Sequence, residues 1–197
     1  MTEKFEFERK LVSRKVAEIP GMIEFDLPVH GDARGWFKEN FQRDKFREIG
    51  FPDEFFAGGK IQNNTSFSRK NVLRGLHAEP WDKYISTKFG EVFGAWVDLR
   101  EGKNFGKIYT TILRPDKAIF VPRGVANGFQ VLSDQVVYDY LVNDYWAAEL
   151  KPKYAFVNFA DPELNVKWPN LTDAITSEAD KNHPFLRDVK PLKKEDL

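Results

Sequence analysis

In the stretch VLRGLHAEPWDK, residues 72–83, an apolar run reaches a glycine and then His77, one of only three histidines in the chain. An imidazole near its ordinary pKa can take a proton, bind a metal ion or satisfy the backbone at a strand end. Strand alternation puts Leu73, Gly75 and His77 on one face and Arg74 and Leu76 on the other. The metal reading is weak: His30 and His183 are distant, no second histidine stands at i+2 or i+4, and HAE adds one carboxylate. Lys83, across the AEPWD turn, is either a solvated charge or a cation set to stabilise an oxyanion. In VVYDYLVNDYW, Tyr138, Tyr140 and Val142 share a face, as packing residues with wet hydroxyls or as proton donors. Trp146 and Tyr145 either stack on a base or close an apolar edge. In IQNNTSFS, Gln62 and Asn64 point the same way, a polar pair that a core would not select. Arg34, in DARG, is in a turn and has the planar shape that grips phosphate; Glu39 follows it. Asp180 closes SEAD, where serine and acid have the spacing of a helix capping box.

These groups need a scaffold, and short β-type runs supply most of it. GMIEFDLPV, GWFKENFQ, KIQNNTSFS, NVLRGLHAE, KYISTKF, EVFGAWVDLR, GKIYTTILR, AIFVP, GFQVLS, QVVYDYLVND and AFVNF recur with turn sequences such as HGDARG, REGKNFG, RPDK and PRGVANG between them. That rhythm predicts an all-β sandwich or barrel. RDKFREIG predicts a short helix ending at Gly50, and SEAD starts a second. The end, RDVKPLKKEDL, is polar and proline-broken and reads as a surface tail. With 197 residues and no repeat or linker, one domain is expected over residues 1–197, with a C-terminal helical segment from about 170 to 197.

Composition narrows the function classes. Thirty basic residues balance thirty acidic ones, so no global field favours nucleic acid or an anionic membrane. Cysteine is absent, which removes disulfides and thiol chemistry. The N-terminal MTEKFEFERKLVSRK has no continuous apolar core, and no run is long enough to span a bilayer as a helix. A soluble, cytoplasmic protein is expected. Eighteen phenylalanines and five tryptophans suit sheet faces and ring stacking.

Taken in order, DARGWFKE, QNNTS, LRGLH, AWVDLREGKNFG, FVPRGVANGF, YLVNDYW, DPELNVKWP and SEAD resemble the dTDP-4-dehydrorhamnose 3,5-epimerase family, from about residue 20 to about residue 190. The resemblance implies a cupin-type jelly-roll β-barrel, a homodimer formed by strand exchange, a dTDP-sugar substrate, and no metal or redox cofactor. It implies that His77 is a general base, Asp180 its carboxylate partner and Tyr140 the acid on the opposite face. Lys83 matches the lysine near the keto oxygen, although its turn is shorter than in many relatives. Arg34, Glu39, Gln62, Asn64 and Arg74 match nucleotide and diphosphate contacts, and Trp146 an aromatic that packs on thymine. Asn127, in ANGF, stands where the family usually has a pocket histidine. HAEPW likewise departs from the usual aromatic and glutamine after the base. A family member inverting only C3, and a non-catalytic nucleotide-sugar-binding cupin, are the alternatives. Arg74 poses a geometric problem, since three residues from His77 it should face away; a bulge at Gly75 would resolve it.

Overall fold

The computed structural model describes residues 7–197; the charged start of the N-terminal stretch, residues 1–6, lies outside them. The chain opens with β1 (Val12–Lys15), β2 (Ile23–Asp26), a hairpin of β3 (His30–Asp32) and β4 (Gly35–Phe37), and the helix α1 (Arg43–Glu48). The body of the fold follows as β5 (Gln62–Arg69), β6 (Leu73–Ala78), β7 (Lys83–Phe89), β8 (Val92–Asp98) and β9 (Ile108–Leu113). It closes with β10 (Lys117–Val121), β11 (Val125–Val131), β12 (Gln135–Val142), β13 (Ala155–Phe156) and the short helix α2 (Glu178–Lys181). Six strands form one antiparallel sheet in the order β1-β2-β10-β7-β12-β5, and five form the other as β13-β6-β11-β8-β9.

Ile85, Trp96, Ile119, Phe129 and Val136 fill the space between the sheets. The outer faces are covered too. Phe25, Tyr84 and Phe120 on the six-stranded sheet bury against Phe46 of α1 and against Phe51 and Phe55. Leu76 and Val97 on the other sheet, with Leu99 just beyond β8, bury against Leu164 and Trp168. Strands covered on both faces carry apolar residues without strict alternation, as in VFGAWVD of β8. Each fully buried Leu, Ile or Phe contributes about 1.5–3 kcal/mol relative to exposure, so these three clusters are what hold the sheets in place. Among the described residues no helix is long and apolar enough to cross a membrane.

Several local expectations need correction. PRGVANG is not all turn, because β11 already starts at Val125. GWFKENFQ is a strand only over Gly35–Phe37, and part of HGDARG is strand β3. β1, absent from the expected strand runs, is a sheet edge that carries Arg14 and Lys15, and Arg14 bonds Asp26 at 2.7 and 2.8 Å. The expected surface tail is docked: the Leu192 N–H bonds the Leu99 carbonyl at 2.8 Å, and Val189 and Leu192 pack on the outer cluster. Within the C-terminal segment, helix is confined to α2 and brief 3-10 turns.

Candidate active site

Between the sheets lies a cavity of about 480 Å³, whose lining includes His77, Asp180, Arg74, Lys83, Tyr140 and Asn127. His77 and Arg74 come from β6, and the way both reach one cavity is local. His77 pairs with Asn127 and Arg74 with Phe129, so Gly75 and Leu76 together face the single residue Gly128. That extra residue is a bulge, and it turns two side chains three positions apart onto the same side. Only glycine suits the site. A Cβ on Gly75 would lie 2.5 Å from the Gly128 Cα and 2.8 Å from the Asn127 carbonyl, and Gly75 has a φ of +119°.

Asp180 arrives from the far end of the chain. Ser177 caps α2 by accepting from the Asp180 N–H at 3.1 Å, which is one half of a capping box. The other half is missing because the carboxylate turns elsewhere: Oδ1 lies 2.7 Å from His77 Nε2 and 3.1 Å from His183 Nε2. Burial alone would raise the Asp180 pKa. The hydrogen bond and charge of His77, the Gly75 N–H and the charge of His183 outweigh it and hold the carboxyl below the usual range. With Nε2 on the carboxylate, Nδ1 of His77 has no hydrogen-bond partner among the described residues. His183 is stacked on Phe156 at 4.5 Å and held edge-on to His77 at 5.4 Å. Burial, then the charge of His77, push its pKa down. His77, Asp180 and His183 together offer donor atoms within 4.8 Å of one another, a set that could hold a Zn2+-class ion. Distance along the chain hid this from the sequence.

The facing sheet supplies a lysine and a phenol. Lys83 opens β7, is ion-paired with Glu79, and has its Nζ 5.8 Å from the centre of the Tyr140 ring. Burial raises the Tyr140 pKa and the charge of Glu79 raises it further, against a smaller pull from Arg74. The phenol therefore keeps its proton. Glu79 was not singled out from the sequence, although it lies two residues beyond His77 and so points to the same side. The asparagine at 127 donates its amide to the His77 carbonyl at 2.8 Å, which ties β11 to the end of β6.

The remaining candidates divide. Gln62 and Asn64 bond each other at 2.8 Å on β5, in a row with Ser66, which lines the cavity. Trp146 is half exposed and its backbone N–H donates to the Gln62 side-chain oxygen at 2.9 Å, which puts it at the end of the same row. Arg34 and Glu39 are not part of the cavity lining. Arg34 is 90% exposed on the β3–β4 hairpin and paired with Asp32; Glu39 is paired with Lys45 at 2.9 Å.

Residues 16–188 match the family model described as dTDP-4-dehydrorhamnose 3,5-epimerase. The chain is 67% identical over 198 residues to the protein RmlC homolog of Streptococcus pyogenes serotype M6, with full coverage of both. It is 36% identical over 178 residues to the dTDP-4-dehydrorhamnose 3,5-epimerase of Pseudomonas aeruginosa, covering 87% of this chain and 94% of that one. Among solved structures it is similar to RmlC from Streptococcus suis in complex with dTDP-D-xylose. There the TM-score is 0.95 at 71% identity, over 97% of this chain and 99% of that one.

Proposed function

The chain belongs to the dTDP-4-dehydrorhamnose 3,5-epimerase family, and from that premise we propose that His77 is the base that takes the ring proton. The protein is an isomerase with the cupin-like β fold of that family, acting on dTDP-4-dehydro-6-deoxy-D-glucose to form dTDP-4-dehydro-L-rhamnose. The C4 ketone acidifies the hydrogens on C3 and C5. Nδ1 of neutral His77 removes one of them, and Asp180 fixes the ring tautomer and stabilises the imidazolium. Charge then develops on the C4 oxygen, where the Lys83 ammonium, steadied by Glu79, stabilises it. Tyr140 returns a proton from the facing sheet, so the new C–H bond forms on the other side of the ring. The observation that carries this reading is the 2.7 Å His77–Asp180 hydrogen bond in the wall of a cavity that Tyr140 and Lys83 also line.

Because the ketone is the electron sink, no step runs through a metal or redox cofactor. Chelator-treated protein is expected to keep its activity; a loss that zinc restores contradicts this. We further read the protein as a cytoplasmic homodimer. Arg34 and Glu39 match nucleotide contacts yet stand outside this chain's own cavity, which supports a second copy delivering them through exchanged N-terminal strands. The test of the reaction is proton NMR of the sugar product after turnover in deuterated water. Deuterium at both C3 and C5 with an L-configured product is expected; inversion at C3 alone makes the protein a single-centre epimerase.

A further inference from the structure

The cavity holds a second phenol that the mechanism above does not use. Tyr138 lies two residues before Tyr140 on the same face of β12, with the two rings 6.2 Å apart. It is only 3% exposed, its ring is stacked on Phe129 at 4.2 Å, and it lines the cavity. Its hydroxyl is buried without a hydrogen-bond partner. More than nine in ten buried polar groups have a partner, and leaving one orphaned costs about 1–3 kcal/mol. Packing alone would be better served by phenylalanine, which makes the same stack on Phe129 without the orphan.

We propose that the Tyr138 hydroxyl is a substrate contact, which finds its missing partner in a hydroxyl group of the hexose at the floor of the cavity and so selects sugars that carry it. The proposal rests on the epimerase reading, in that the sugar must enter this cavity. Burial and the neighbouring Tyr140 and Glu79 keep the phenol protonated, so it can donate as well as accept. Its depth suits the sugar rather than the nucleotide: Gln62 and Trp146, matched to nucleotide contacts, stand away from this floor and are more exposed. A site built around a hydroxyl also rejects ligands lacking one, because the buried partner is then left unpaired.

The test is Tyr138→Phe, in which a substrate contact and a structural role move in opposite directions. The unliganded variant should melt at the same temperature or higher, and should bind dTDP within about twofold of the original protein. Its affinity for dTDP-D-xylose, a hydroxylated sugar with no ketone to turn over, should fall about tenfold, as should kcat/KM for the keto-sugar. Unchanged sugar affinity would mean that water satisfies the hydroxyl and would overturn the proposal. A lowered melting temperature with loss of dTDP binding would overturn it too, as the mark of a structural tyrosine. Because dTDP-D-xylose binding is read without turnover, failure of the epimerase reading would show separately, as absent exchange of ring hydrogens in the unaltered protein.

Discussion

A carboxylate that accepts from two imidazoles and a backbone amide has little freedom left, and that is the condition for a well-aimed base. Asp180 is held in this way by His77, His183 and the Gly75 N–H. Its acceptor role favours one His77 tautomer, with the proton on Nε2 and the lone pair on Nδ1. Tyr140 complements it, as a phenol kept neutral by burial and by Glu79. If the two act on opposite faces of the ring, removing the phenol should separate two events that normally run together. Tyr140→Phe is expected to go on exchanging ring hydrogen for deuterium while formation of inverted product falls about 10²–10⁴-fold, the usual range for a proton donor. Equal losses of exchange and inversion would deny Tyr140 that role. Of these residues, the resemblance pointed to His77, Asp180 and Tyr140. It did not point to His183, which lies three residues beyond Asp180 on the turn that α2 begins, or to Glu79, because this chain departs from the family pattern there.

At the scale of elements, β6 does more than carry the base. Its bulge is what lets Arg74 and His77 share a cavity, and the bulge exists because Gly75 and Gly128 allow two backbones to close on each other. Gly75→Ala should therefore cost about 2–4 kcal/mol of stability in urea unfolding and abolish turnover, since relaxing the clash swings His77 out of line. A stable, active variant would show that the close approach is dispensable. A bulge could be inferred from the sequence only as the way out of a contradiction in strand facing; the glycine-to-glycine contact across strands could not. A second local device sits at the other end of the six-stranded sheet. Burial pushes Glu24 up, but hydrogen bonds from Tyr109, Arg14 and Lys117 outweigh it and bring the pKa from 4.5 to about 2. A carboxyl whose folded pKa lies below its unfolded value stabilises above the unfolded value and loses that contribution as pH falls through the folded one. Glu24→Gln should thus weaken the fold at neutral pH, with the deficit against the unaltered protein shrinking from about pH 4.5 down to about pH 2. A deficit independent of pH would contradict this.

For the whole molecule, eleven of the thirteen strands were readable because alternation and turn residues are local; β1 and β3, short and polar, were not. The sheet order was not, since β10 pairs with β2 and β7, neither of which is its neighbour along the chain. Nor was it readable that both outer faces are covered, since that depends on α1 and the docked C-terminal segment. We read the chain as one cupin-like epimerase domain, because its inner apolar cluster shares β8 and β11 with one outer cluster and β7 and β10 with the other. Unfolding followed by tryptophan fluorescence and by far-ultraviolet circular dichroism should then coincide; two separate transitions would mean independent units. The dimer reading adds a prediction of its own. The protein should sediment as a dimer, and Arg34→Ala should weaken dTDP binding although Arg34 does not line its own cavity. Unchanged binding would remove the partner copy from the site.

The claim on which all of this turns is that one imidazole carries off a carbon-bound hydrogen. It is tested most directly by following deuterium uptake from solvent into dTDP-4-dehydro-6-deoxy-D-glucose with the unaltered protein and with His77→Ala, after matching both for dTDP affinity. Uptake at ring carbons in the former and none above the uncatalysed background in the latter is the predicted result. Undiminished uptake in His77→Ala would contradict the account and assign the base to another group in the cavity.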